Sequence, residues 1–247
     1  MSDEAIARIQ QIAEYRWTRT LDDNAGVAQE ERERKARQPT VSLPVQEPML
    51  ADKKEHFIYR DNKNKRPEYY DFKLPEPTLL YNRGEIYNLS IRRGTLTEED
   101  RYKINEHIMQ TIVMLKKLPF PRTMANVPTI AGGHHERMDG KGYPYQLTYK
   151  QMSIPVRMMA IADVFEALTA ADRPYKQGKL LSEALNIMLN MVNENHLDRE
   201  LFILFLESGI WHEYAIAHLK ADKIDNVDIS VILQKIGHQN IVLAQSA

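Results

Sequence analysis

The sequence predicts an all-α fold, and three observations carry that expectation. From Thr95 onward, apolar side chains return every three to four residues in stretches long enough for helices. Capping residues stand at the starts of several of those stretches. No pair of alternating apolar and polar runs makes a convincing strand pair, and no internal repeat is present.

Residues 2–20 read as a first helix, with Ile6, Ile9, Ile12 and Ala13 on one stripe and Ser2 or Asp3 as cap. The charge run EERERKAR (30–37) reads as a solvated helix face. Proline marks the next region: none precedes Pro39, and six lie between Pro39 and Pro77. Residues 38–82, rich in proline, tyrosine and charge, are expected to be irregular. A stretch of that length points to an insertion or a wrapping segment. In LTEED, Thr97 with Asp100 three residues on opens a helix to about Lys117, striped by Ile104, Ile108, Ile112 and Leu115. A second helix of this half starts near Ser153–Pro155 and ends about Ala171, before Asp172 and Pro174. A third starts at Ser182. A fourth runs from a cap at Asp198 to Gly209, and a fifth covers about Trp211–Leu219. Three regions result: 1–90, 91–220 and a C-terminal extension, 221–247.

The 247 residues carry 33 Lys plus Arg, 34 Asp plus Glu, and no cysteine. Disulfide scaffolds, thiolate zinc sites, iron–sulfur clusters and cysteine nucleophiles are thereby excluded. Any metal must be held by His, Asp, Glu or neutral oxygen donors. Charge is balanced in both halves, so no basic stripe points to a nucleic acid polymer or an anionic lipid surface. The acidic start MSDEAIARIQ is unlike a signal peptide, and no run approaches the roughly 18 apolar residues of a membrane span. A soluble protein or portion of one, located in the cytoplasm, is expected.

Four features bear on chemistry. His107 lies on the apolar stripe of its helix, as a core histidine or as a ligand. Asp163 interrupts a helix that is apolar nearly all round, which points to a buried carboxylate met either by Arg157 or Arg173, or by a metal. The segment AGGHHERMDGKGYP (131–144) sets His134, His135, Glu136 and Asp139 among Gly132, Gly133, Gly140 and Gly142. A tight turn would explain the glycines and Pro144, but it needs neither two histidines nor two acids. Adjacent histidines are expected to point apart and serve two neighbouring ions. Finally, Arg173 and Lys176 come after the Asp163 helix, either as solvated bases or as phosphate ligands.

HHERMDGKGYP, followed by IADVFEALTAADRPYK, resembles the signature of the HD-GYP phosphohydrolases, a branch of the HD superfamily. The likeness extends over about residues 83–195, through RRGTLTEED and INEHIMQTIVML. It implies a helical domain with two or three metal ions that hydrolyses cyclic di-GMP, and ligands of His and carboxylate alone make iron or manganese the expected metal. It also implies that His107, His134, His135 and Asp163 are ligands and that Arg173 and Lys176 meet phosphate. Glu136 and Asp139 would orient the histidines, and the turn of Gly142, Tyr143 and Pro144 would dock a diguanylate cyclase domain.

One departure stands out. The family's His-Asp pair, with its following lysine, has no counterpart, since His56 is followed by Phe57. The earlier Glu and His ligands have none either. The expectation is therefore the C-terminal part of such a domain, with residues 1–90 as the tail of an insertion and the other half of the site upstream of Met1. An apolar face is then expected to be exposed. The alternative is a non-catalytic signalling module that binds cyclic di-GMP or a cyclase partner. An HD-type metal oxygenase fits the ligands but not Arg173 and Lys176.

Overall fold

The computed structural model describes residues 1–61, 70–170 and 178–245, with side chains described as far as 237. It is all-α in plan. The described residues form ten α-helices and two antiparallel two-stranded ribbons. The chain divides into two compact units, residues 1–69 with 75–106, and residues 70–74 with 107–247.

The first unit opens with α1 (Asp3–Ala13), capped where Ala5 N–H donates to Ser2 Oγ. This helix is shorter than the sequence led us to expect. The aromatic and β-branched segment after it forms β1 (Arg16–Arg19), which pairs antiparallel with β2 (Val45–Pro48). Between them, the charge run forms α2 (Gln29–Lys35). A second ribbon pairs β3 (Phe57–Tyr59) with β4 (Leu79–Asn82). The Pro-rich stretch is therefore not wholly irregular. Its strands have only three or four residues and pair across long intervals, so no hairpin turn announces them. The short α3 (Glu85–Leu89) packs on α1.

Helix α4 (Glu98–Leu115) begins in this unit and ends in the second. Its start is a reciprocal box, with Asp100 N–H donating to Thr97 Oγ1 and Thr97 N–H donating to Asp100 Oδ2, both at 3.1 Å. The buried face differs from the expected stripe. Ile108 and Ile112 are buried, but Ile104 is 54% exposed, and Tyr102, Glu106 and Met109 take buried positions instead.

The second unit holds one apolar core. It gathers α6 (Ile154–Thr169), α7 (Leu181–Asn193), α8 (Arg199–Glu207), α9 (Ile210–His218) and α10 (Ile229–Gln245). The short α5 (Val127–Gly132) packs on α6. Leu181, Leu185, Met188 and Phe202 are fully enclosed at the centre. Asp198 caps α8 at the amide of Leu201, as expected, and is also paired with Arg157. The start of α7 is held from a distance, because Asp225 accepts from both the amide and the hydroxyl of Ser182. Gly209, at φ 73°, turns α8 into α9.

Helix α6 is not enclosed on all sides. Ala160, Ile161 and Phe165 face the core, Val156 and Thr169 are buried beside them, and Ile154, Met158 and Met159 are exposed. Its apolar composition thus serves two faces, one packed and one open. With Leu204 of α8 and Ile210 of α9, Met158 lines a groove of about 450 Å³ whose walls are almost wholly apolar. Among the described residues no helix is long and apolar enough to cross a membrane.

Candidate metal centre

Two segments of the second unit bring the histidines together. His107 sits on α4, and His134 and His135 lie in the turn after α5. The helix ends at Gly132, so the two adjacent residues are in neither helix nor strand. Their rings fall on the same side, with centroids 4.2 Å apart. The expected divergence of adjacent histidines therefore does not occur. One ring nitrogen from each of His107, His134 and His135 lies within 4.8 Å of the others.

Each histidine is set differently. His134 Nδ1 lies 2.6 Å from the carbonyl oxygen of Ala131. A carbonyl only accepts, so Nδ1 carries the proton and Nε2 keeps its lone pair for a ligand. His135 Nε2 faces His107 Nε2 at 3.2 Å. Two nitrogens held at about 2.1 Å from one ion, at ordinary coordination angles, stand about 3.0–3.4 Å apart, so this spacing fits a shared metal. Burial, then the neighbouring His134, lowers the His135 imidazole to about 4, keeping it neutral and able to ligate near pH 7. His107 is exposed and is not a core histidine.

Asp163, on α6, is half-buried and not enclosed. It lies close enough to act electrostatically on both His135 and Tyr143. Arg157, one of the partners considered for it, is instead paired with Asp198 and stacked over Tyr149 at 4.4 Å. The group whose ligand atoms converge is the three imidazoles; Asp163 stands beside it and is not among the atoms within 4.8 Å of one another, and imidazole donors suit a borderline divalent ion. It is a cluster able to hold a metal.

The two acids expected to orient the histidines do something else. Glu136 is fully buried, and its carboxylate accepts from the amides of Tyr145 at 2.6 Å and Leu147 at 2.8 Å. Burial raises its pKa against the pull of those amides. Asp139 accepts from the guanidinium of Arg137 and the amide of Lys141. Both carboxylates shape the loop and neither takes an imidazole proton. The orienting group of His134 is a backbone carbonyl, for which sequence offers no signal.

The turn of Gly142, Tyr143 and Pro144 faces inward. Gly142 and Pro144 are buried, and the Tyr143 ring stacks on His135 with centroids 4.9 Å apart and planes 22° from parallel. Residues 70–74 reach this loop: Lys73 N–H donates to Pro144 O at 2.7 Å, and Phe72 packs on Tyr145. Nothing in the sequence of the Pro-rich stretch indicated that contact. Arg173 and Lys176 lie outside the described residues.

Residues 44–201, more than half the chain, match the HD domain family. The chain belongs to the HD domain family. Its HHERMDGKGYP segment is that of the HD-GYP branch. Relatives of this HD-domain chain include a 3'3'-cGAMP-specific phosphodiesterase of Vibrio cholerae, 44% identical over 143 residues, covering 56% of this chain and 32% of that protein. A cyclic di-GMP phosphodiesterase of Pseudomonas aeruginosa is 33% identical over 145 residues, covering 58% and 33% respectively. A cyclic di-GMP phosphodiesterase response regulator of Xanthomonas campestris is 48% identical over 111 residues, covering 43% and 28%. The chain thus spans about a third of the length of the curated relatives it matches.

Proposed function

We propose that this HD-domain chain acts in metal-dependent hydrolysis of a cyclic dinucleotide, cyclic di-GMP in the first place. The observation that carries this is the convergence of His107, His134 and His135, with Asp163 close by. When bound, a divalent ion would polarise the phosphodiester and supply hydroxide near neutral pH. The chain's own residues would hold and aim that ion. Ala131 O fixes the ring of His134, and burial keeps His135 unprotonated. Arg173 and Lys176 would take the non-bridging phosphate oxygens, the first through its planar fork and the second as a point charge. With neither thiolate nor thioether ligands in the cluster, iron or manganese is the proposed metal. A cytoplasmic location fits a cyclic dinucleotide substrate. Docking of a diguanylate cyclase through residues 142–144 has less support, because two of the three are buried.

A second reading, a non-catalytic module that binds the nucleotide, is favoured by one observation: the sequence contains no His-Asp pair. Incubating the chain with cyclic di-GMP or 3'3'-cGAMP, with iron or manganese supplied, separates the two. Linear dinucleotide or mononucleotide that disappears in His135→Ala supports the enzyme. The same turnover overturns the module.

A further inference from the structure

The structure assigns Tyr143 as a positioning residue: its ring fixes the imidazole plane of His135 and thereby holds that histidine for a metal. The assignment rests on the metal-dependent reading of the site and deepens it. His135 has three rings against it, and His134 lies nearest, with centroids 4.2 Å apart and planes tilted by 47°. Tyr143 stacks on its face at 4.9 Å, and His107 meets it edge-on at 5.0 Å with planes 88° apart. The imidazole χ2 is a broad, soft torsion when free. The stacked ring holds the imidazole plane, and within that plane Nε2 lies 3.2 Å from His107 Nε2.

The loop that carries Tyr143 has little room to drift. Tyr143 N–H donates to His135 O at 3.2 Å, which ties the stacked residues by backbone as well. One residue earlier, Gly142 lies so close to the chain that an added Cβ would stand 2.4 Å from Glu136 Cα. One residue later, Pro144 O is taken by Lys73, and beyond it the buried Glu136 carboxylate gathers the amides of Tyr145 and Leu147. Glu136 thus acts on the metal site through the loop and not through an imidazole. A ligand already held in its bound orientation loses less entropy when the ion arrives. Groups that orient metal-bound histidines typically govern about 10–100-fold in affinity.

The test uses the whole chain, Co²⁺ as probe, and Tyr143→Phe and Tyr143→Leu. Phenylalanine keeps the stacked ring, and leucine fills the space without one. Cobalt affinity is read from its visible absorption bands, and the His135 Cε1–H resonance is followed without metal, assigned through His135→Gln. The expected result is about a tenfold weaker Co²⁺ affinity for Tyr143→Leu, with Tyr143→Phe within about twofold of wild type. The His135 resonance should lose its ring-current shift only in the leucine variant. Unchanged affinity in Tyr143→Leu overturns the assignment. If wild type takes up no cobalt, the metal reading falls and the resonance alone decides. A shift abolished by leucine and kept by phenylalanine then sustains Tyr143 as the group that fixes His135, and a shift that neither moves overturns it.

Discussion

Replacing Gly142 by alanine should unseat the loop that closes over the histidine cluster. The added methyl would lie 2.4 Å from Arg137 N and from Glu136 Cα, and 2.6 Å from the Glu136 carbonyl carbon. Non-bonded carbons settle at about 3.5–4.0 Å, so the overlap is about 1 Å or more. All three atoms belong to the backbone, and no side-chain rotation relieves them. The loop itself must move by a comparable amount. The amides of Tyr145 and Leu147, now 2.6 and 2.8 Å from Glu136, would then pass the limit of a hydrogen bond. Bonds to a charged acceptor contribute about 1.5–3 kcal/mol each, and an extra carbon in a packed site costs about 1–3 kcal/mol. The terms overlap because one shift relieves the clash by breaking the bonds, so about 3 kcal/mol is expected in all. Urea unfolding followed by far-ultraviolet circular dichroism measures it. Gly26→Ala is the comparison: with φ 78° and no atom within 4 Å, it carries only left-handed strain, about 1–2 kcal/mol. A Gly142→Ala loss below about 1 kcal/mol would refute the close approach and the anchoring by Glu136 together.

Acid should weaken the metal-free protein through His135. Its folded pKa of about 4 lies below the ordinary 6.5, so the unfolded chain binds the extra proton. This contribution is fully present above about pH 6.5 and lost as pH falls toward 4. After discounting for partial exposure it is on the order of 1–2 kcal/mol. Urea midpoints between pH 4 and 7, compared with His135→Gln, should show that slope flattened in the variant. Asp163→Ala should cost under about 1 kcal/mol of stability in the metal-free chain, since the residue is half-buried. It should weaken Co²⁺ binding at least about tenfold, and isothermal titration giving wild-type affinity would remove Asp163 from the ligand set. Asp198→Ala removes the cap of α8 and leaves Arg157, whose side chain is 12% exposed, without its carboxylate. A loss of about 3–5 kcal/mol is expected, read from the thermal midpoint. Leu204→Lys, in the open apolar groove, should reduce binding of a fluorescent apolar dye while changing stability by less than about 0.5 kcal/mol. Equal dye binding would show that the groove is not the exposed apolar surface being read.

Residue order alone was enough for the class of the fold and the chemistry of the donors. Periodicity and caps located α4, α6, α7, α8 and α9 to within a few residues, because Thr97, Asp198 and Gly209 act on their own neighbours in the chain. The lack of cysteine restricted any metal to imidazole, carboxylate or neutral oxygen donors, a matter of composition alone. Pairings over long intervals were not legible. β1 with β2, Ser182 with Asp225, and Lys73 with Pro144 join residues whose affinity for one another has no local sign. Packing also settled what each polar residue does at the site. His134 and His135 converge because α5 ends just before them. Glu136 and Asp139 turn to amides and Arg137, and Tyr143 faces His135 instead of solvent. Residue type fixes which atoms can donate or accept. Only the packed chain fixes which partners they meet, because a carboxylate removed from water must take the nearest donors that the surrounding backbone presents.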